Sequence, residues 1–239
     1  MSTAISIHKF SSYCAALVGL AACLLVPQIK AQAADVDPFI TVNRSLYDLN
    51  EAFDDLIVQP IARGYDIVIP GFGKRGVSNF LNNLDDVNVV FNDLLQLKIK
   101  NALQDSSRLL INSTLGIGGI VDVASDFGLY KNDEDFGQTL GYWGVPSGPY
   151  VVIPFLGNST VRDVIGFIPD YLMNPIFWLQ DEGERYTLYA MHTIDTRLYY
   201  LAAESMVSGD QYTFVRDAFL QRREYLVADG VVYDEWDDF

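Results

Sequence analysis

From Phe136 to Val161 the chain runs for 26 residues without one charged side chain. A continuous apolar helix of about 20 residues would be enough to cross a bilayer. This stretch cannot form one. Five glycines lie inside it, and Pro146, Pro149 and Pro154 each remove a backbone donor. Its only strand candidate is the short run Tyr150 to Ile153. Elsewhere beyond residue 34 no apolar stretch reaches the 18 residues of a spanning helix. The chain must therefore fold from short elements, and any role in a bilayer must be interfacial or re-entrant.

Charge and hydropathy pull in opposite directions. All 31 acidic residues follow Ala34 and two of the 16 basic ones, Lys9 and Lys30, precede it, so a chain beginning at Ala34 carries −17. That surface repels phosphate backbones, which argues against nucleic acid as a partner. It also argues against docking on anionic headgroups through a basic patch. Yet half of the residues are hydrophobic and the mean hydropathy is +0.14. Such a chain is expected to segregate its surfaces, acid toward water and apolar faces toward something other than water.

Residues 1–33 read as a secretory signal: basic start, apolar stretch from Tyr13 to Val26, then Ala31-Gln32-Ala33 as an A-x-A cleavage site. A competing lipobox, Leu20-Ala21-Ala22-Cys23, would end the leader at residue 22 and leave Cys23 lipidated. Leu24, Leu25 and Val26 extend the apolar stretch past Cys23, which favours the A-x-A site. Both cysteines, Cys14 and Cys23, lie in the leader, so the domain that follows is held without disulfides.

That domain, residues 34–228, reads mainly as helix. Leu46, Leu49, Phe53 and Leu56 recur at helical spacing among acids, with Pro60 expected to end or kink the element and Pro70-Gly71 to mark a turn. "GVSNFLNNL" and "VNVVFNDLLQLKIKNALQDSSRLLINS" read as short helices, with Val87, Val90, Leu94 and Leu97 in one stripe. Pro169 and Pro175 interrupt a later apolar helix. Two more helices, near 185–205 and 212–228, precede an acidic tail, 229–239. No internal repeat or linker divides the domain.

Chemistry finds little footing. The domain has one histidine, His192, and no cysteine beyond Cys23, so zinc sites of His and Cys are out of reach. No G-x-S-x-G elbow occurs. The glycines of Gly116-Ile117-Gly118-Gly119 are followed by Ile120 and Val121 rather than a lysine, so they form no phosphate loop. No metal or cofactor is expected.

"NRSLYDLN", "GVSNFLNNL", "LINSTLGIGGIVDVAS" and "EDFGQTLGYWGVPSGPYVVIPFLGNSTVRD" stand in this order over Asp37 to Asp170. Together they resemble the MlaA family, also called VacJ. The resemblance implies a mainly α fold with little or no β: one ring of short amphipathic helices lying in the membrane plane, in the inner leaflet of a Gram-negative outer membrane. It implies a non-enzymatic role, removing mislocalised phospholipid from the outer leaflet and passing it to a periplasmic MlaC-like carrier, beside a trimeric porin. The chain departs from the family pattern at Val42, Leu49, Asp85-Asp86-Val87 and Leu97; at the last of these the family usually has glycine.

On this reading the lipid path is expected around Asn112, Ser113, Thr114, Gly116, Gly118 and Gly119, and around Asp135, Phe136, Gly137, Gln138 and Tyr142, where small and polar residues interrupt apolar text. Helix capping, turns and close packing account for the same residues equally well. Arg162-Asp163 are expected first as a helix start or buried pair. Two other readings stay open: a soluble periplasmic protein using its apolar faces on a protein partner, and a lipid hydrolase acting through His192.

Overall fold

A computed structural model describes residues 36–201 and 209–230. The leader with Cys23 and both cleavage readings, and the tail beyond Gly230, lie outside the described residues.

Helix α1 (Ile40–Phe53) runs through a π-helical turn (Asp54–Val58) directly into α2 (Gln59–Val68). Pro60 therefore lies in a continuous element and does not end it. Its missing N–H falls where the backbone ladder has already changed period. Helix α3 (Gly71–Leu95) is one element of 25 residues, where the sequence suggested two short ones. It packs along α4 (Ile99–Thr114) through a three-residue corner.

The corner is a Schellman motif. Lys98 N–H donates to Asp93 O (2.9 Å) and Leu97 N–H to Leu94 O (3.1 Å), with Leu97 in the left-handed region at φ 60°. Glycine usually fills that position because it carries no Cβ penalty. The sequence feature that departs from the family pattern here is thus a strained leucine.

The short α5 (Val123–Asp126) and α6 (Phe136–Tyr142) start on Asp122 and Asp135, whose carboxylates accept from Ser125 N and Gln138 N. The antiparallel strands β1 (Tyr150–Ile153) and β2 (Gly157–Thr160) pair Tyr150 with Thr160 and Ile153 with Gly157. Thr160 then caps α7 (Val161–Met173), which keeps Pro169 inside it, followed by a 3-10 turn (Pro175–Trp178). Helices α8 (Glu182–Leu201) and α9 (Gln211–Val227) complete the described chain.

Two asparagines tie α1 to the hairpin. Asn43 donates to Tyr150 O (3.0 Å) and accepts from Val152 N (3.0 Å); Asn50, two turns on, donates to Ile153 O (3.0 Å) and accepts from Phe155 N (2.8 Å). They are the two ends of "NRSLYDLN", and their seven-residue spacing puts both on one helix face. Beside them Tyr47, Tyr150, Val152 and Tyr212 form an apolar cluster, with the Tyr47 and Tyr212 rings edge-on at 5.6 Å.

Glycine sets the crossing of α6 and α7. A Cβ on Gly166 would stand 2.5 Å from Gly137 N and 2.8 Å from its Cα, so the two backbones touch.

Away from the tyrosine cluster the polarity is inverted. Among the described residues sixteen polar or charged side chains are buried against eleven apolar ones, while large apolar side chains lie exposed on every long helix. Helix α3 buries Asn83, Asp86, Asn92 and Asp93, with Gln96 just past its end, and α4 buries Asp105, Arg108 and Asn112; Phe91, Leu94, Leu103 and Leu110 face outward, as does Leu115 just past α4. Leu94 and Leu97, the end of the apolar stripe read from sequence, are outside, Leu97 at 77% exposure. Water as solvent would select the reverse arrangement. No described helix is long and apolar enough to cross a membrane.

Candidate functional site

Two cavities among the described residues are lined by these polar groups. The first, of about 110 Å³, lies between α3, α4, the Asp122–Ser125 segment and Lys131. Asn83, Asp86, Arg108, Asn112, Asp122 and Lys131 line it. Asn112 crosses the turn: its Nδ2 donates to Asp122 Oδ1 (2.9 Å) and its Oδ1 accepts from Ala124 N (2.9 Å). Arg108 Nη1 donates to Ser125 Oγ (3.1 Å) and to Leu129 O, and Nη2 faces Asp122 (3.3 Å). Burial raises Asp122, but Ser125, Asn112 and Arg108 outweigh it and hold the carboxylate below its ordinary range.

The second cavity, of about 260 Å³, has a charged floor and apolar walls. Asp135, Asp163, Asp170 and Arg223 meet Ile153, Leu156, Phe167 and Phe219 around it. Arg223 bridges two carboxylates: Nη2 to Asp135 Oδ1 (3.0 Å) and to Asp163 Oδ1 (2.8 Å), with Nη1 also on Asp135. Burial pushes Asp135 up and Arg223 outweighs it, so Asp135 stays below the usual carboxylate range. Asp170, which accepts from Phe136 N and Asn92 Nδ2 but has no cation at its oxygens, is pushed by burial up to about 7.

A hydrogen-bonded chain continues from that floor into α3. Thr139 Oγ1 donates to Asn92 Oδ1 (2.8 Å), Gln96 Nε2 donates to Thr139 Oγ1 (3.0 Å) and Glu134 Oε2 (2.7 Å), and Lys98 pairs with Glu134. Next to it Asp93, fully buried, is pushed up to about 7 by burial and by the charges of Asp105 and Glu134. The interior thus presents hydrogen-bonding groups of both signs, and the second cavity adds an apolar wall.

Of the residues marked out in the sequence for the lipid path, two line a cavity. Asn112 lines the first and Asp135 the second. Gly116 and Gly119 serve close approach: a Cβ on Gly116 would run into Val121 O and Asn112 O, and one on Gly119 would meet Asn83 Cβ at 2.7 Å. Gly118, at φ 70°, has open space around it and serves the turn alone. Ser113 Oγ accepts from Asn83 Nδ2 (3.0 Å) across to α3, and Thr114 bonds back to Leu110 O; both are exposed residues of the last turn of α4 and do not start the next helix.

Gly137 is buried against Asp163 and Arg223, Phe136 holds Asp170 through its backbone, and Gln138 folds onto Asp135. Tyr142 is half exposed under Lys98 Nζ, 5.6 Å from the ring centre, and lines neither cavity. Arg162 and Asp163 are a buried pair at the start of α7, as expected (3.2 Å). His192 Nε2 meets Asp85 Oδ2 at 3.0 Å and its Nδ1 faces Thr196, tying α8 to α3 away from both cavities.

Sequence reasoning missed Asp86, Arg108, Asp170 and Arg223. In a chain with 31 acids, single carboxylates carry no signal. One periodic signal was present: Asn79, Asn83, Asp86 and Asp93 repeat at helical spacing along one side of α3.

Comparison with known proteins agrees with this architecture. The family model described as "MlaA lipoprotein" matches residues 35–226. The intermembrane phospholipid transport system lipoprotein MlaA of Shigella flexneri is 34% identical over 203 residues, covering 81% of this chain and 79% of the relative. Its counterpart in Escherichia coli K12 is 33% identical over the same length, and that of Haemophilus influenzae 29% identical over 89% of this chain. A solved structure, described as the structural basis for maintenance of bacterial outer membrane lipid asymmetry, superposes with a TM-score of 0.72 at 30% identity, covering 80% of this chain and 98% of that one. With a polar interior, apolar exterior and this match over nearly the whole described length, the chain belongs to the MlaA lipoprotein family.

Proposed function

We propose that this protein is the outer-membrane component of an intermembrane phospholipid transport system, taking mislocalised phospholipid out of the outer leaflet and so maintaining lipid asymmetry. The inverted polarity supports this reading most directly. Leu56, Ile67, Phe72, Leu103 and Leu110 are at least 65% exposed, while Asp86, Asp93 and Asp105 are at most 1% exposed. Such a chain suits surroundings of acyl chains outside and a headgroup path inside. In this reading the protein lies in the inner leaflet as a ring of in-plane elements, in keeping with the lack of a membrane-crossing helix among the described residues. Its acidic faces point to the periplasm, where an MlaC-like carrier collects the lipid, and its apolar rim meets a trimeric porin. The path runs beside Asn112–Gly119 and Asp135–Gln138. Nothing is covalently changed on the way, so the protein is not an enzyme and works without a cofactor.

Expression in a Gram-negative strain lacking its own MlaA tests the proposal. Outer-leaflet phospholipid should fall to the wild-type level, and resistance to detergent with EDTA should return. Recovery of the mature protein in the detergent-free soluble periplasm, with lipid asymmetry unrestored, would overturn it and favour a soluble interaction protein. Mass spectrometry of the mature N-terminus distinguishes a lipidated Cys23 from a chain starting at Ala34.

A further inference from the structure

Basic side chains are scarce in this chain, and nearly all are spent on acids. Eleven of the fourteen that follow Ala34 pair with a carboxylate. Among the described residues Arg63, Arg75 and Lys100 have no such partner, and all three are exposed. Arg63 and Arg75 flank one feature, the Ile69-Pro70 corner that joins α2 to α3; Lys100 lies past the other end of α3.

That corner also carries the most exposed large apolar side chain among the described residues, Ile67, with Val68 and Phe72 at 74% each. The two arginines are placed alike around these tips. Arg63 precedes Ile67 by four residues in α2, and Arg75 follows Phe72 by three in α3. Each therefore lies on the same side of its helix as a tip and about 5.4 Å, one turn, behind it. Arg75 Nη1 folds back toward the corner, 3.6 Å from where a Cβ on Gly71 would stand. Lys74 reaches across the corner to Asp66 and neutralises the one acid there. From Leu56 to Leu84 the chain has Arg63, Lys74 and Arg75 against Asp66 alone, a local charge of +2 in a domain of −17.

Water would favour neither the bare apolar tips nor unpaired arginines in so acidic a chain. A phospholipid surface favours both. The tips enter the acyl region, and one turn back the guanidinium groups meet phosphate oxygens, which they bind through paired N–H donors. Attraction to a charged surface falls off within a Debye length, about 8–10 Å, so the corner's own charges weigh more than acids elsewhere on the domain. The chain-wide acidity that argues against a basic patch thus leaves room for this small one.

We propose that the α2–α3 corner is a membrane anchor selective for anionic phospholipid, with Ile67, Val68 and Phe72 among the acyl chains and Arg63 and Arg75 on the phosphates. The proposal rests on the phospholipid-transport reading and adds which part of the molecule grips the leaflet and which headgroups it prefers.

The test dilutes the full mature protein from detergent onto preformed vesicles and reads its partition coefficient after flotation. One vesicle is phosphatidylcholine alone; the other contains about one third phosphatidylglycerol, at about 0.1 M salt. Attraction of about 1 kcal/mol per basic residue is about fivefold in partition, so the two arginines should favour the anionic vesicle about 30-fold. In Arg63→Gln/Arg75→Gln the ratio should drop to about threefold or less. Arg185→Gln/Arg222→Gln removes the same two charges from paired arginines and should leave the ratio as it was. With an NBD label on Val68→Cys, a spin label on the acyl chain should quench more than one on the headgroup.

Equal partition of the unaltered protein onto both vesicles overturns the anchor and leaves the transport reading intact. Failure to float with either vesicle overturns both. An equal fall in the two double variants would mean that bulk charge alone is at work, and stronger quenching from the headgroup would deny insertion; either overturns the proposal. So does a ratio unchanged in Arg63→Gln/Arg75→Gln, and if that variant also ceases to co-purify with a trimeric porin the corner belongs to a protein partner. The two-vesicle comparison on the unaltered protein needs no variant, so misfolding of a variant cannot rescue the idea.

Discussion

Arg223 holds two carboxylates at the floor of the larger cavity, and its removal has a calculable consequence. Arg223→Met keeps most of the side-chain length and deletes the charge, stranding Asp135 and Asp163. Breaking a buried ion pair by removing one partner costs about 3–5 kcal/mol. Two features of the site place the expected loss at the low end. The Asp135 side chain is 37% exposed, so solvent screens part of its charge, and Asp163 keeps Arg162 at 3.2 Å. A loss of about 3 kcal/mol follows, a large share of the 5–15 kcal/mol that stabilises an ordinary domain. Urea unfolding in detergent, followed by helical circular dichroism, measures it. Adding Asp135→Asn should recover part of the loss, because the stranded charge goes while asparagine still caps α6. The dependence on pH has a fixed sign. Asp135 is depressed in the folded state, so its contribution is present above the ordinary carboxylate value of about 3.9 and disappears as pH falls through the folded value. The variant and the unaltered protein should converge below about pH 4. A loss under about 1 kcal/mol at pH 7, or a double variant no more stable than the single one, would refute the reasoning.

Leu97→Gly should raise stability by about 0.5 kcal/mol, since relief of about 1–2 kcal/mol of left-handed strain exceeds the entropy glycine adds to the unfolded chain; a fall in the unfolding midpoint would contradict this. Gly119→Leu should drive the Gly116–Val121 turn off α3 and abolish rescue of lipid asymmetry, whereas Gly118→Ala, facing open space, should cost only about 1 kcal/mol and leave rescue intact. Equal defects from the two would sink the distinction. Asp93 and Asp170 titrate near 7 when folded, so the native state binds more protons than the unfolded chain between about pH 4 and 7, and stability should fall as pH rises through that window. Asp93→Asn should flatten the slope; a profile unchanged by the substitution would rule out this cause.

The helical class, the hairpin strand Tyr150–Ile153 and the start of α7 were legible because each depends on local chemistry: period, proline spacing and a Thr160 cap. Strand β2 was not, since Gly157-Asn158-Ser159-Thr160 has no apolar alternation and is held by its partner across the turn. Helix α3 was broken in two for a more instructive reason. Its Asn and Asp residues read as loop-forming in water, while in the structure they are the inward face. A pattern search that equates apolar with inside assigns α3 and α4 the wrong way round. The cavities share the same difficulty: Asn112 and Asp135 stood in a quoted motif, but Arg108 and Arg223 reach the site only through tertiary contacts 14 to 88 residues away in sequence.

The exposed leucines and isoleucines also bear on how the protein responds to temperature. Heat capacity rises on unfolding because apolar surface enters water, at about +0.45 cal/K/mol per Å², and is offset by about −0.26 for polar surface. Here Leu56 at 78%, Ile67 at 84% and Phe72 at 74% stand outward, where acyl chains or detergent cover them before and after unfolding, while many of the buried groups that unfolding releases are Asp, Asn, Gln and Arg. Both changes lower the increment below the usual ~12–15 cal/mol/K per residue. The free-energy dome then flattens. A cell that chills or warms its envelope would keep this fold at nearly constant stability, and calorimetry should record a broad transition with a small baseline step.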